Sequence, residues 1–178
     1  MFNNTRFIRK ELETRREMLY QLAYSWCHQP ALADDLVQEA LLKALRNAGQ
    51  LNDSKAVKAW LTRILANCWY DHLRSRRNLV DIDNLPVEDL PRSGDTNERQ
   101  DIIDRVREMI ARLPNGQRQV ITLVDLAGFS YAEIAEILEI PIGTVMSRIC
   151  RARQALRSAL AEYDPRHEFA RARIRRVK

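Results

Sequence analysis

The chain has 178 residues, a formal net charge of +5, 46% hydrophobic residues and 30% charged residues. This balance is typical of a soluble folded protein with one domain or two small ones, and the basic excess favours a polyanionic partner. No apolar run approaches 18 residues and Met1 begins no signal peptide, so we predict a cytoplasmic chain without a membrane span. Five glycines and 7% aromatic residues favour an all-helical fold, and three cysteines without a Cys-x-x-Cys pair predict reduced thiols.

Two amphipathic helices are predicted at the start of the chain. The first spans about residues 12–26 and should end near Pro30, and the second spans about residues 32–47. The helical wheel of the second helix predicts this buried face: Leu36, Val37, Ala40, Leu41, Ala44 and Leu45. Leu42 falls on the opposite face, beside Asp35, Gln38 and Glu39. An isolated exposed leucine usually has no special role, and a protein-docking position remains the alternative.

A polar loop and a long third helix complete the first block. The loop contains Gly49 and offers Asp53 or Ser54 as a cap for a helix over about residues 55–77. The predicted buried face of that helix is Val57, Trp60, Leu61, Ile64, Leu65, Cys68 and His72. The other face carries Lys58, Arg63, Asn67, Tyr70 and Arg74, with Arg76 and Arg77 at the end of the helix. Such a face is suited to single-stranded nucleic acid, although an ordinary charged surface has the same composition. Cys68 and His72 have metal-ligand spacing, but without a further ligand pair nearby we interpret them as packed side chains.

An acidic, proline-containing segment separates this block from the next. Residues 79–101 carry seven acidic and two basic side chains and lack a sustained helical period. We therefore predict a flexible tether over residues 78–101, either a plain spacer or a segment that occupies a basic groove meant for nucleic acid. A basic tail follows the second block over residues 164–178.

The second block contains a helix-turn-helix pattern. Helices over about residues 102–113 and 117–126 precede a short helix over residues 130–138, which begins with the capping-box pair Ser130 and Glu133. Pro141 and Gly143 predict a break, and a last helix is expected over about residues 144–160. We therefore predict an all-α fold with two small helical domains, over residues 5–77 and 102–163.

The last helix has one apolar face and one face suited to DNA. Its predicted buried face is Val145, Ile149, Ala152, Leu156, Ala159 and Leu160. The opposite face carries Thr144, Met146, Ser147, Cys150, Arg151 and Gln154, flanked by Arg148, Arg153 and Arg157. Short side chains among arginines favour contacts with base edges and phosphates in a major groove, whereas a solvated basic face is the alternative.

Five segments resemble the sigma-70 family of bacterial RNA polymerase subunits, in particular its extracytoplasmic-function group. Residues 34–45 resemble the polymerase-binding helix of the family, and residues 60–77 resemble its −10 promoter helix. Three further segments resemble its −35-binding domain: residues 113–120, 128–135 and 143–153. The resemblance covers nearly everything between residues 10 and 160, and its motifs occur in the order and spacing of the family.

The resemblance implies a role for each matched surface. The surface implied to contact core RNA polymerase is Asp35, Gln38, Glu39 and Leu42. The −10 surface, which would capture a flipped base of the non-template strand, is Gln50, Leu51, Asn52, Asp53, Ser54, Arg63, Asn67, Tyr70 and Arg74. The −35 surface is Thr144, Met146, Ser147, Arg148, Cys150, Arg151 and Arg153. An anti-sigma factor is the further partner that the resemblance implies.

Some positions depart from the family pattern, and other functions remain open. Met146 stands where an arginine is often expected, Cys150 and Leu51 stand where aromatic residues are common, and the tail after Tyr163 is an extension. The sequence contains no phosphate loop, nucleophile triad or carboxylate cluster, so we predict neither an enzyme nor a cofactor or metal site. The alternatives are a sigma-like decoy that binds an anti-sigma factor, and a stand-alone helix-turn-helix regulator, which would leave residues 34–77 unexplained.

Overall fold

A computed structural model of the chain describes residues 4–51, 53, 56–77 and 106–162. The predicted all-α fold is confirmed, because no strand occurs within these ranges. Residues 106–111 are also helical, and the other helices are α1 (Asn4–Cys27), α2 (Pro30–Arg46), a 3₁₀ turn (Ala48–Gln50), α3 (Val57–Arg77), α4 (Asn115–Asp125), α5 (Tyr131–Leu138) and α6 (Ile142–Glu162). The predicted tether and basic tail lie outside the described residues.

Three helices form the first domain. Helix α1 packs against α2 and α3, and α2 packs against α3. Two helices of this domain begin earlier than predicted. Helix α2 begins at Pro30 because the missing N–H of a proline costs nothing in the first turn of a helix. Helix α1 already includes the buried Ile8, and an ion pair between Arg15 Nε and Glu11 Oε2 at 2.8 Å supports its polar first half.

The second domain contains the predicted helix-turn-helix. The capping box at the start of α5 is confirmed: Glu133 N donates to Ser130 Oγ at 3.3 Å, and Ser130 N donates to Glu133 Oε2 at 2.8 Å. The predicted break is shorter in the structure, because Gly143 lies inside α6. Glu139 makes the turn instead, in the left-handed region at φ 54°, and Pro141 precedes the first residue of α6.

The two domains share one hydrophobic core. Helix α1 packs against α4 and α3 packs against α5, and a single buried cluster contains Trp26 and Leu61 from the first domain with Leu123 and Ile134 from the second. If the two domains had separate cores, the faces of α1 and α3 that contact the second domain would be exposed to solvent. The described parts of the two domains therefore form one closed body.

Arg118 of α4 holds this body together. Its guanidinium donates to the Trp26 carbonyl of α1 at 2.6 Å, and to the carbonyls of Ala111 and Leu113 at 2.6 and 2.9 Å. Trp26 Nε1 in turn donates to Thr122 Oγ1 of α4 at 2.9 Å. At the end of α1, Trp26 therefore accepts a hydrogen bond from α4 and also donates one to it. Burial lowers the pKa of Arg118 to about 10, so the side chain is charged at neutral pH.

Candidate polymerase and nucleic-acid interfaces

The predicted polymerase-binding surface of α2 is exposed. Asp35, Gln38 and Glu39 are exposed around Leu42, whose own exposure of 55% is high for a leucine. Lys43 on the edge of this surface pairs with Glu39 Oε1 at 2.8 Å and with Asp71 Oδ2 of α3 at 3.3 Å. The bond to Glu39 raises the pKa of Lys43. The surface therefore consists of one exposed apolar side chain, Leu42, with acidic side chains around it. The opposite face of α2 is buried in the core.

The predicted −35 surface lies on the outer face of α6. Met146, Ser147, Cys150 and Arg151 are exposed, whereas Thr144 is half-buried. Ser147 Oγ donates to the Thr144 carbonyl at 3.0 Å. Arg151 donates from Nε to the Ser147 carbonyl and from Nη2 to Ser147 Oγ, both at 3.2 Å. Arg151 is therefore held along the helix surface beside Ser147.

Two arginines of the predicted −35 surface contact α4 in the structure. Arg148 is half-buried, and its Cζ would lie 2.9 Å from a Cβ placed on Gly116. Arg153 Nη2 lies 3.7 Å from Asp125 Oδ1. Because Gly116 has no Cβ, the Arg148 guanidinium lies directly against the α4 backbone. These two arginines therefore flank the exposed surface, with α4 on their inner side.

The predicted −10 surface is partly exposed and partly buried. Asp53, Arg63, Asn67 and Arg74 are exposed. Leu51 is buried in the core, so its side chain anchors the loop and does not face solvent. Asn52, Ser54 and the side chain of Gln50 lie outside the described residues.

The second domain occupies part of this −10 surface. Arg63 Nη2 lies 2.5 Å from Glu139 Oε1, and Tyr70 Oη donates to Gln119 Oε1 at 2.9 Å. Lys58 bonds to the Ala127 carbonyl, and its Nζ lies 4.5 Å from the centre of the Phe129 ring. Burial raises the pKa of Tyr70. In the closed body, two of the predicted −10 residues are therefore bonded to protein groups of the second domain.

Comparison with known proteins identifies the family. Residues 12–79 match the model described as Sigma-70 region 2, and residues 103–156 match that described as Sigma-70, region 4. The ECF RNA polymerase sigma factor EcfG of Rhodopseudomonas palustris is 37% identical over 77% of this chain and 75% of its own length. The chain belongs to the ECF RNA polymerase sigma factors. The ECF RNA polymerase sigma-E factor of Escherichia coli is 36% identical over 68% of this chain and 70% of its length.

Solved structures agree with this assignment of the sigma factor. A complex of the sigma factor RpoE with the anti-sigma factor NepR from Bartonella quintana is similar, with 31% identity and a TM-score of 0.68. That match covers 86% of this chain and 96% of the other. CnrH, solved in complex with the cytosolic domain of CnrY, is 25% identical with a TM-score of 0.64 over 88% of this chain and 89% of the other. In the described part of this sigma factor, no helix has the length and apolar character that crossing a membrane requires.

Sequence reasoning missed the polar residues that join the two domains of this sigma factor. Besides the bonds of Trp26 and Tyr70, Trp69 Nε1 donates to Asn115 Oδ1 at 2.9 Å. Gln119 and Thr122 are almost completely buried. Both lie on the same helix as the buried Val120 and Leu123, so polar residues among the apolar positions of α4 were the signal that could have indicated partners from elsewhere in the chain.

The cysteines of this sigma factor differ in environment. Cys68 is buried, and burial raises its pKa to about 11, which makes it an unreactive thiol. His72, one turn further along α3, stacks on the Trp69 ring with 5.8 Å between ring centres. Within the described ranges, no group of three or more His, Cys, Asp or Glu side chains is arranged to hold a metal ion. Cys150 is exposed on the −35 surface.

His28, between α1 and α2, predicts a measurable pH dependence. Burial, together with the nearby Arg118 charge, lowers its pKa to about 4. A histidine whose folded pKa is lowered contributes stability above its ordinary pKa of 6.5, and this is lost as the pH falls towards 4. His28→Asn removes the titrating imidazole and should therefore remove that loss of stability. Asparagine is the chosen replacement because it tolerates the positive φ of 55° at this position.

Urea unfolding at pH 7 and pH 4.5 measures the effect. Between these pH values the native chain should lose about 1–2 kcal/mol more stability than the asparagine variant, because solvent screens the partly exposed imidazolium charge. The carboxylates titrate equally in both chains, so the difference isolates His28. Equal losses in the two chains would show that His28 does not titrate in this way.

Proposed function

We propose that this chain is an alternative sigma factor that directs core RNA polymerase to a class of promoters. In this proposal, the outer face of α2 binds core polymerase, α3 and the loop before it bind the −10 element, and α6 binds the −35 element. Residues 5–77 would form the first functional unit and residues 102–163 the second, joined by the acidic tether over residues 78–101. Because polymerase and promoter are located in the cytoplasm of a bacterium, the protein would act there.

One observation carries this proposal: the outer faces of α2 and α6 are both exposed and chemically distinct. The α2 face is acidic around Leu42, whereas the α6 face combines Met146 and Ser147 with Arg151. An acidic face disfavours DNA, and an arginine-bearing face at the second helix of a helix-turn-helix favours it. A stand-alone DNA-binding regulator has no use for the first surface, whereas a sigma factor requires both.

The protein would act by binding alone. Attachment to core polymerase would hold two weak promoter contacts at a high effective concentration, so neither DNA surface has to bind tightly by itself. Capture of an unstacked base at the −10 element would then favour strand separation without covalent chemistry. This proposal requires neither a catalytic residue nor a cofactor.

The closed body would have to open before the −10 surface could function. Arg63 is paired with Glu139, and Tyr70 is bonded to Gln119, so neither can also contact DNA in full. Polymerase and promoter would favour the open arrangement by binding it preferentially. Because a similar sigma factor has been solved with an anti-sigma factor, we propose that an anti-sigma factor also binds this chain.

Replacing Arg151 with alanine tests the assignment of the −35 surface. An arginine that contacts a guanine through two hydrogen bonds discriminates against other bases by about 1–3 kcal/mol. Arg151→Ala should therefore weaken holoenzyme binding to a −35 duplex about tenfold. Fluorescence titration of a labelled duplex measures this loss, and the affinity of the variant for core polymerase should not change.

Arg157→Ala is the matched control, because Arg157 is an exposed arginine further along the same helix. It removes the same charge, so it should weaken binding to all sequences equally without relaxing the preference at one base pair. If Arg151→Ala weakened core binding as much as DNA binding, the assignment of this face would be wrong.

A further inference from the structure

The first two turns of α6 expose apolar side chains on their outer face. Ile142 is 48% exposed and Met146 is 53% exposed, although the core-facing Val145 and Ile149 of the same helix are buried. Single exposed apolar residues are common on protein surfaces. These two differ because they lie one helical turn apart on one face, and the exposed Cys150 continues the row. We call Ile142, Met146 and Cys150 the apolar row.

The apolar row is held in a fixed position. The capping box fixes the start of α5, and the left-handed Glu139 sets the turn into α6. Val145 has no exposed surface and Ile149 has 3%, so the buried side of α6 is locked against the domain. Because neighbouring positions on a helix point in directions about 100° apart, the burial of Val145 directs Met146 outwards.

Arginines lie beyond and beside the apolar row. Arg153, which is 3.7 Å from Asp125, and Arg157 follow on the same side of α6, and Arg151 is held beside Ser147 by its two hydrogen bonds. A protein partner that covered an apolar row would not require this positive surround. A polyanion would, and a DNA duplex offers a phosphate on each side of the groove.

A thymine methyl group is the apolar group that a base pair presents in the major groove. The thioether of methionine offers no strong hydrogen bond, but its flexible apolar chain adapts to such a group. Ile142 and Met146 are four residues apart, a rise of about 6 Å along the helix. Both side chains therefore lie in the N-terminal turns of the second helix of the helix-turn-helix, the part that contacts base edges in the major groove.

We propose that Met146, preceded by Ile142, selects thymine at the −35 element by contact with its 5-methyl group. This inference rests on the proposed function, and it names the base and the atom that this part of α6 recognises. Arg151, one turn beyond Ser147, would supply the polar contact next to the apolar one. The −35 preference would then arise from a methyl contact as well as from hydrogen bonds.

The test replaces thymine by uracil, which removes the methyl group and leaves the base pair otherwise unchanged. Holoenzyme assembled from this chain and core polymerase first selects its −35 element from a duplex library with a randomised segment. Each thymine of the selected element, on either strand, is then changed to uracil. At the contacted position, native holoenzyme should bind the uracil duplex about fourfold more weakly, the value for one buried methyl group.

A double-mutant cycle assigns that loss to Met146. Met146→Ala should bind the thymine duplex about fourfold more weakly than the native protein and should not distinguish thymine from uracil. Leu160→Ala is the matched control, because Leu160 is an equally exposed apolar residue of α6, 47% exposed, about 21 Å further along the helix. It should retain the full uracil effect.

Other results would contradict either the methyl contact or the proposed function, and the two cases can be distinguished. A selected element without thymine, or a uracil effect that persists in Met146→Ala, would overturn the methyl contact. The methyl contact would also be overturned if Met146→Ala bound DNA with full affinity but no longer bound an anti-sigma factor. The apolar row would then be a protein-docking site. If the holoenzyme selected no −35 sequence at all, the proposed function itself would fail.

Discussion

Leu42→Asp should weaken assembly with core RNA polymerase strongly while leaving the chain folded. Leu42 is 55% exposed, so the aspartate disturbs no core packing. In the complex, however, the aspartate would place a charge at the position where the proposed interface buries the apolar side chain of Leu42. Loss of a central interface residue costs at least about 2 kcal/mol, which is about thirtyfold in affinity. Co-elution with core polymerase measures the effect, and circular dichroism measures the fold.

Leu126→Asp is the matched control for this substitution. Leu126 is also 55% exposed, but it lies at the end of α4 in the second domain. The same change of side chain at the same exposure should leave assembly with core polymerase largely intact. If both variants lost core binding equally, or if Leu42→Asp bound like the native protein, the α2 surface would not be the polymerase-binding surface.

Arg118→Met should destabilise the closed body and separate the domains. The variant leaves the carbonyls of Trp26, Ala111 and Leu113 without the donor that they share. An unsatisfied buried group costs about 1–3 kcal/mol. Part of this is offset, because Arg118 Nε is itself buried without a partner. We expect a net loss of roughly 3 kcal/mol and a melting temperature about 10 °C lower.

Small-angle X-ray scattering separates domain opening from general destabilisation. Arg118 donates to both domains, so its loss should increase the radius of gyration at temperatures where the helices remain folded. Arg112→Met is the matched control, because Arg112 is an exposed arginine six residues earlier. It should change neither the melting temperature nor the radius of gyration. An Arg118→Met chain as compact and as stable as the native one would contradict the role assigned to this side chain.

Local patterns in the sequence were sufficient to predict that the helices exist and to predict several of their buried and exposed positions. The capping box at Ser130, the exposed position of Leu42 and the buried Val145 all follow from spacing within a single helix. The start of α6 was less predictable. Pro141 and Gly143 predicted a break before a helix at about residue 144, but α6 begins at Ile142, and the residue with a positive φ in the turn is Glu139.

The closed arrangement could not be predicted from the same patterns. Tyr70 and Lys58 lie on a face that looks solvent-exposed when α3 is considered by itself, yet both contact the second domain. The bond between Trp26 and Thr122 joins residues 96 positions apart, and such a pairing leaves no periodic signal in either segment. Leu160 shows the opposite error: it continues the apolar face of α6 but is 47% exposed, because nothing described in the structure covers that end of the helix.

Run-off transcription with purified core RNA polymerase tests the central claim most directly. Core polymerase, the purified chain and fragmented genomic DNA are combined, and the transcript ends are mapped. We expect transcripts that begin at defined positions only when the chain is present, and that share sequence elements upstream at both the −10 and −35 positions. If addition of the chain produced no promoter-dependent transcripts, while the chain still bound an anti-sigma factor, it would be a sigma-like decoy and the account would be contradicted.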